Sequence, residues 1–219
     1  MATDEAIAAR YKAAMDCSSC FGSMGALSRA SVDLPQPRWV GPRYESSHPR
    51  VLIVLINPGA GNGRQTPENV DLKRLLHRYK TNEASLEGVF AFQKGHMRAW
   101  GRGGKFLPFY TTALNLQLDE LSFLNIALCA TANDKYPARM LMNCFQSHTA
   151  EIAKVLQPDV VLLSGATTHA FTRDFSRVLP RAKVICMMHY ANREGGEAEN
   201  REHERVRQVL HDHQCSRGF

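Results

Sequence analysis

Val51-Leu52-Ile53-Val54-Leu55-Ile56 runs straight into Asn57-Pro58-Gly59. An apolar, largely β-branched run that stops at a polar residue and a Pro-Gly turn predicts a strand buried on both faces, with Asn57 at its carboxyl end. Strands of that kind belong to parallel sheets covered by helices, and the ligands of open parallel sheets bind beyond the strands' carboxyl ends. A plain chain-turning role for Asn-Pro-Gly stays open at this stage.

Three further apolar runs follow. Leu121 to Cys129 is interrupted by Asn125, Asp159 to Leu163 ends in Ser164-Gly165, and Lys183 to Met188 stops at His189. Helical patterns separate them, at residues 106–118, 138–156 and 167–178, with another at 4–15 and a charged one from Arg193 to His213 that Gly195-Gly196 opens. Strands alternating with helices predict an α/β fold, a three-layer α/β/α arrangement around a central, mainly parallel four-stranded sheet. In such a sheet Asn57, Gly165 and His189 share one edge. Asn125 needs an account of its own, because a buried amide without a hydrogen bond costs about 1–3 kcal/mol.

At 219 residues the chain suits one domain, residues 1–219, with an insertion at about 60–106. That insertion begins with the Gly59-Ala60-Gly61-Asn62-Gly63 loop and carries Arg64, Lys73, Arg74, Arg78, Lys80, Lys94, Arg98, Arg102 and Lys105 against Glu68, Asp71, Glu83 and Glu87. With a formal charge of +6 the balance favours a polyanionic partner, and the insertion reads either as a solvated face or as a phosphate-contacting flap. No apolar run reaches the roughly 20 residues of a membrane span, and the start lacks a secretory pattern, so the expectation is a cytoplasmic protein with no membrane partner. In a reducing compartment Cys17-x2-Cys20 suits a metal or redox site better than a disulfide.

Together these residues resemble the uracil-DNA glycosylase superfamily. Ile56-Asn57-Pro58-Gly59 is similar to the G-I-N-P-G first motif of the mismatch-specific and single-strand-selective branches, with Leu55 in place of the leading glycine. Asn125, four residues before Cys129, matches the asparagine that reads the uracil edge in the iron-sulfur, family 4 branch. His189 follows an apolar strand like the histidine of the H-P-S second motif, although Tyr190 and Ala191 replace the proline and serine. Cys17-x2-Cys20 with Cys129-x14-Cys144 looks like the family 4 pattern whose thiolates hold a 4Fe-4S cluster, while Cys186 and Cys215 match nothing there. Zinc is the alternative occupant.

The resemblance implies a monofunctional DNA glycosylase of base excision repair, hydrolysing the bond between deoxyribose and uracil or a related damaged base, as a monomer on DNA. It implies catalytic roles for Asn57, which orients water, and His189, which donates to O2 of the departing base. Asn125 would meet N3 and O4, Ile56 and Gly59 would line the base site, and Phe106 would stack on the base, with Trp100 and Phe109 as alternatives. Lys105 and Arg193 would hold phosphates. The branch that excludes thymine places a bulky residue where Gly59 stands, so tolerance beyond uracil is expected. Two other readings were weighed: a non-catalytic lesion-binding relative, and a diacylglycerol-kinase-like enzyme, to which Asn57-Pro58-Gly59-Ala60-Gly61-Asn62-Gly63 is similar but whose G-G-D-G-T segment has no match.

Overall fold

The structure, a computed structural model, describes residues 2–21, 27–59, 66–192 and 196–217. In chain order the elements are α1 (Ala2–Ala14), β1 (Val51–Leu55), α2 (Pro67–Lys80), α3 (Leu86–Met97), α4 (Phe106–Leu114), β2 (Leu121–Asn125), α5 (Ala138–Cys144), α6 (Ala150–Leu156), β3 (Val160–Ser164), α7 (Ala166–His169), α8 (Thr172–Val178), β4 (Lys183–Met187) and α9 (Gly196–Arg217). The sheet is parallel in the order β2-β1-β3-β4 and is flanked by helices, the α/β/α arrangement that the alternation predicts. Val51 to Val54 pair with Val160 to Leu163, and Val160 to Ser164 pair with Lys183 to Met187. Every residue of β1, β2 and β3 is buried, as expected of strands covered on both faces. Among the described residues no helix is long and apolar enough to cross a membrane.

The chain divides into two compact units. The first comprises Met1–Arg38, Ile56–Phe92 and Leu124–Leu156. Here α1 packs on α6, and the Lys12 ammonium donates to the carbonyls of Tyr79 (2.5 Å) and Lys80 (2.8 Å), fastening the end of α2. The second comprises Trp39–Leu55, Gln93–Phe123 and Gln157–Phe219. In it Arg50 grips the Asp159 carboxylate through both its backbone N–H (2.9 Å) and its guanidinium (3.2 and 3.3 Å), tying together the amino ends of β1 and β3.

Several boundaries differ from the sequence expectation, each for a local reason. α4 stops at Leu114 rather than at 118 because Asn115 adopts the left-handed conformation that closes helices. β2 ends at Asn125 instead of running to Cys129: the Ala127 N–H turns to the Ile56 carbonyl (2.9 Å) and the Leu128 N–H to Cys144 Sγ (3.3 Å). The 138–156 helix is widened by a π turn at Phe145–Thr149, where the Thr149 hydroxyl meets the Asn125 and Ile126 carbonyls, each at 3.0 Å. The 167–178 helix splits into α7 and α8, and the last helix continues to Arg217 rather than ending at 213, its expected start at Arg193 lying outside the described residues. The basic segment is itself helical over α2 and α3, and four of its cations are ion-paired within their units: Lys73 to Asp33, Arg74 to Asp71, Lys80 to Asp16 and Lys94 to Asp119.

Candidate active site

In the first unit the loops after β1 and β2 bring two asparagines together. Asn125 is fully buried, at 0% exposure. Its amide nitrogen faces the carbonyls of Leu124 (3.3 Å) and Asn57 (3.2 Å), which fixes the orientation of the group, since a nitrogen donates and the opposite face would set oxygen against oxygen. Its Oδ1 then faces the Pro58 nitrogen at 3.2 Å, and a proline nitrogen carries no proton. Asn125 thus presents a buried acceptor beside a nitrogen that cannot satisfy it. Both N–H groups are committed to the backbone.

Asn57 is half-buried. Its Nδ2 donates to the Asp134 carboxylate (2.9 Å) and to the Tyr136 hydroxyl (2.8 Å). Tyr136 also accepts from the Thr131 N–H at 3.2 Å, and burial pushes its phenol up, keeping it protonated. Gly59 sits at φ +65, and a Cβ there would meet no atom of the described residues within 4 Å.

In the second unit His189 follows β4. Burial lowers its pKa from the ordinary 6.5, so the ring is neutral near pH 7. The Ala191 N–H donates to Nδ1 at 3.3 Å, which leaves the ring proton on Nε2 as a donor. The ring rests against Gly165: a Cβ on that glycine, at φ +101, would lie 3.3 Å from the His189 Cβ. Ser164 donates to the Met188 carbonyl (3.2 Å) and accepts from the Tyr110 hydroxyl (2.6 Å), pinning the end of β3 to the residue before the histidine.

The four cysteines Cys17, Cys20, Cys129 and Cys144 all belong to the first unit, where they line one small pocket together with Leu128, Met140 and His148. An N–H points at three of the sulfurs: Leu128 N at Cys144 (3.3 Å), Asn143 Nδ2 at Cys20 (3.4 Å) and Arg29 Nη1 at Cys129 (3.8 Å). A hydrogen bond from His148 brings Cys17 down to about 7, whereas burial, reinforced by the neighbouring cysteines, pushes Cys129 and Cys144 up to about 12. Among the described residues no three His, Cys, Asp or Glu side chains are disposed to share one metal ion as they stand. Four thiols on one pocket with N–H donors aimed at their sulfurs are the donor chemistry a thiolate-bound cluster requires, so the residue types fit such a group.

The remaining expected residues are placed as follows. Phe106 is 3% exposed and enclosed by Trp100, Tyr110, Phe123 and Tyr190, with ring centroids 5.1 to 5.6 Å away, as a core residue would be. Phe109 is buried against His203 (4.9 Å), and Trp100 is half-buried. Ile56 is half-buried and its carbonyl takes the Ala127 N–H. Lys105 is exposed at the start of α4. Arg193 and the glycine-rich stretch 60–63 lie outside the described residues. Sequence periodicity does not mark Asp134 and Tyr136 in their loop, nor the sulfur-facing Arg29 and His148. No family model matches the chain, and no curated protein matches it in sequence.

Proposed function

We propose that the chain is a DNA glycosylase that hydrolyses the N-glycosidic bond of uracil or a related damaged base, acting as a monomer in the cytoplasm. What carries the reading is Asn125, a fully buried amide whose acceptor end faces the protonless nitrogen of the Asn57-Pro58 peptide. A buried acceptor in that state discriminates strongly for a ligand with a matching N–H, and N3–H of uracil supplies one. Asn57 orients water through its Oδ1, since its Nδ2 is already committed. His189 serves as a neutral Nε2–H donor to O2 of the departing base, where negative charge builds as the bond breaks. Glycine at position 59, where the thymine-excluding branch places a bulky residue, favours bases larger than uracil as well. Lys105 and Arg193 contact the phosphates in this reading.

Cys17, Cys20, Cys129 and Cys144 would hold a 4Fe-4S cluster, zinc being the alternative. When bound, such a cluster ties the amino-terminal segment to the loop after β2 and to α5 without taking part in bond cleavage. The functional test uses oligonucleotides carrying uracil, hypoxanthine, xanthine or 5-hydroxymethyluracil, treated with protein and then with alkali. Strand scission at the modified position with free base released is the expected outcome. Tight binding without scission would instead identify a non-catalytic lesion binder, and neither binding nor scission would overturn both readings.

A further inference from the structure

Hydrolysis needs a proton acceptor for the attacking water, and the Asn57 amide cannot serve as one. The structure puts a carboxylate where that function is missing. Asp134 Oδ1 lies 2.9 Å from Asn57 Nδ2, on an exposed loop, and Tyr136 closes the other side at 2.8 Å. Both N–H groups of Asn57 point at these two partners, which leaves Oδ1 as the amide atom able to accept from water. The loop is built to hold the carboxylate there. Asp134 adopts φ +52, uncommon for a residue with a side chain, and is held by its N–H to the Thr131 carbonyl (3.2 Å) while the Thr131 hydroxyl donates to the Lys135 carbonyl (3.0 Å). Tyr136 accepts from Asn57 and from the Thr131 N–H, which ties the same loop to the amide.

We propose that Asp134 is the general base of this centre, a catalytic residue supplied by the loop after β2 rather than by the strand end that carries Asn57. The inference rests on the glycosylase reading. Water held by Asn57 Oδ1 gives a proton to the Asp134 carboxylate, and its oxygen forms a bond to C1′. The bond from C1′ to the base nitrogen breaks, with its electron pair leaving on the base. The proton on Asp134 then passes to solvent, restoring the carboxylate. A second account makes Asp134 only a prop for Asn57, and the two differ in their pH dependence.

The experiment is single-turnover base release on the fastest-cleaved oligonucleotide of the panel, from about pH 4 to pH 9, for the wild type, Asp134→Asn and Asp134→Glu. Asparagine still accepts from Asn57 but takes no proton. Asp134→Asn should therefore lose about 10²- to 10⁴-fold in rate and lose the acid limb of the profile. Its affinity for an oligonucleotide with a non-hydrolysable 2′-fluoro nucleotide should stay at the wild-type level. Asp134→Glu should recover part of both the rate and the limb. An Asp134→Asn rate equal to wild type, or a lowered rate with the acid limb intact, overturns the general-base role while leaving the glycosylase standing. A wild type that releases none of the bases overturns the glycosylase reading itself, and the general base with it.

Discussion

Asn125→Leu and Asn125→Asp probe the centre's most buried polar group, and the structure ranks them. The wild-type amide donates to the Leu124 and Asn57 carbonyls at 3.3 and 3.2 Å, at 0% exposure. Leucine keeps the branched shape, with bulkier methyl groups, but removes both donors. A buried carbonyl left without a donor costs about 1–3 kcal/mol, and the long distances place each bond toward the low end of that range. Removing Oδ1, which faces a nitrogen without a proton, returns part of the loss, so the net destabilisation comes to about 1–3 kcal/mol. Asn125→Asp is worse at neutral pH, because a carboxylate packed against two carbonyl oxygens costs several kcal/mol on the scale of an unpaired buried charge. Protonation supplies an O–H donor and relieves it. The new carboxyl's folded pKa is therefore raised, and the gap between the two variants should close as pH falls. Urea unfolding followed by tryptophan fluorescence at about pH 7 and pH 5 measures the order directly, through midpoints at constant slope. The folded leucine variant should also release base about 100-fold more slowly. If Asn125→Leu is as stable as wild type, or Asn125→Asp matches Asn125→Leu at neutral pH, the assigned amide orientation and the base-reading role built on it are refuted.

Three other outcomes follow from the geometry. Gly165→Ala forces a Cβ at φ +101 to within 3.3 Å of the His189 Cβ; about 1–3 kcal/mol of strain should lower Tm by several degrees and slow base release, and an unchanged Tm would contradict the packing. Burial lowers the pKa of His189 below its ordinary 6.5, so the unfolded chain takes up its proton first as pH falls, and the His189 contribution erodes stability below 6.5. Urea midpoints measured through that range should therefore fall less steeply for His189→Gln than for wild type, and equal slopes would show that the imidazole is not desolvated. Anaerobically purified protein should be brown, with about four irons per chain, and Cys144→Ala should lose both colour and iron. One zinc per chain in a colourless preparation would replace the cluster and leave the base chemistry untouched.

What the sequence made legible was whatever a one-dimensional pattern can encode. The run from Val51 is apolar because β1 is covered on both faces, and the same logic located β3 and β4 to within a residue or two at each end. Asn125 was legible as an anomaly inside an apolar run, but its meaning was not. It is the point at which the β2 ladder ends, because the next donors turn to the Ile56 carbonyl and to Cys144 Sγ. The π turn after α5 was hidden for the same reason: its Thr149 hydroxyl answers carbonyls more than twenty residues away, at Asn125 and Ile126. Asp134 and Tyr136 left still less trace. They sit in a loop whose left-handed turn depends on bonds local to that loop, and their target, Asn57, lies 77 and 79 residues upstream. The pattern that buries a strand is repeated along it and so survives in sequence, whereas a carboxylate aimed at one amide occurs once and shows itself only in three dimensions. That asymmetry gives the centre a division of labour. Asn57 follows the end of a strand that a repeated apolar pattern announces, whereas Asp134 reaches it, at 2.9 Å, from a loop whose sequence announces nothing.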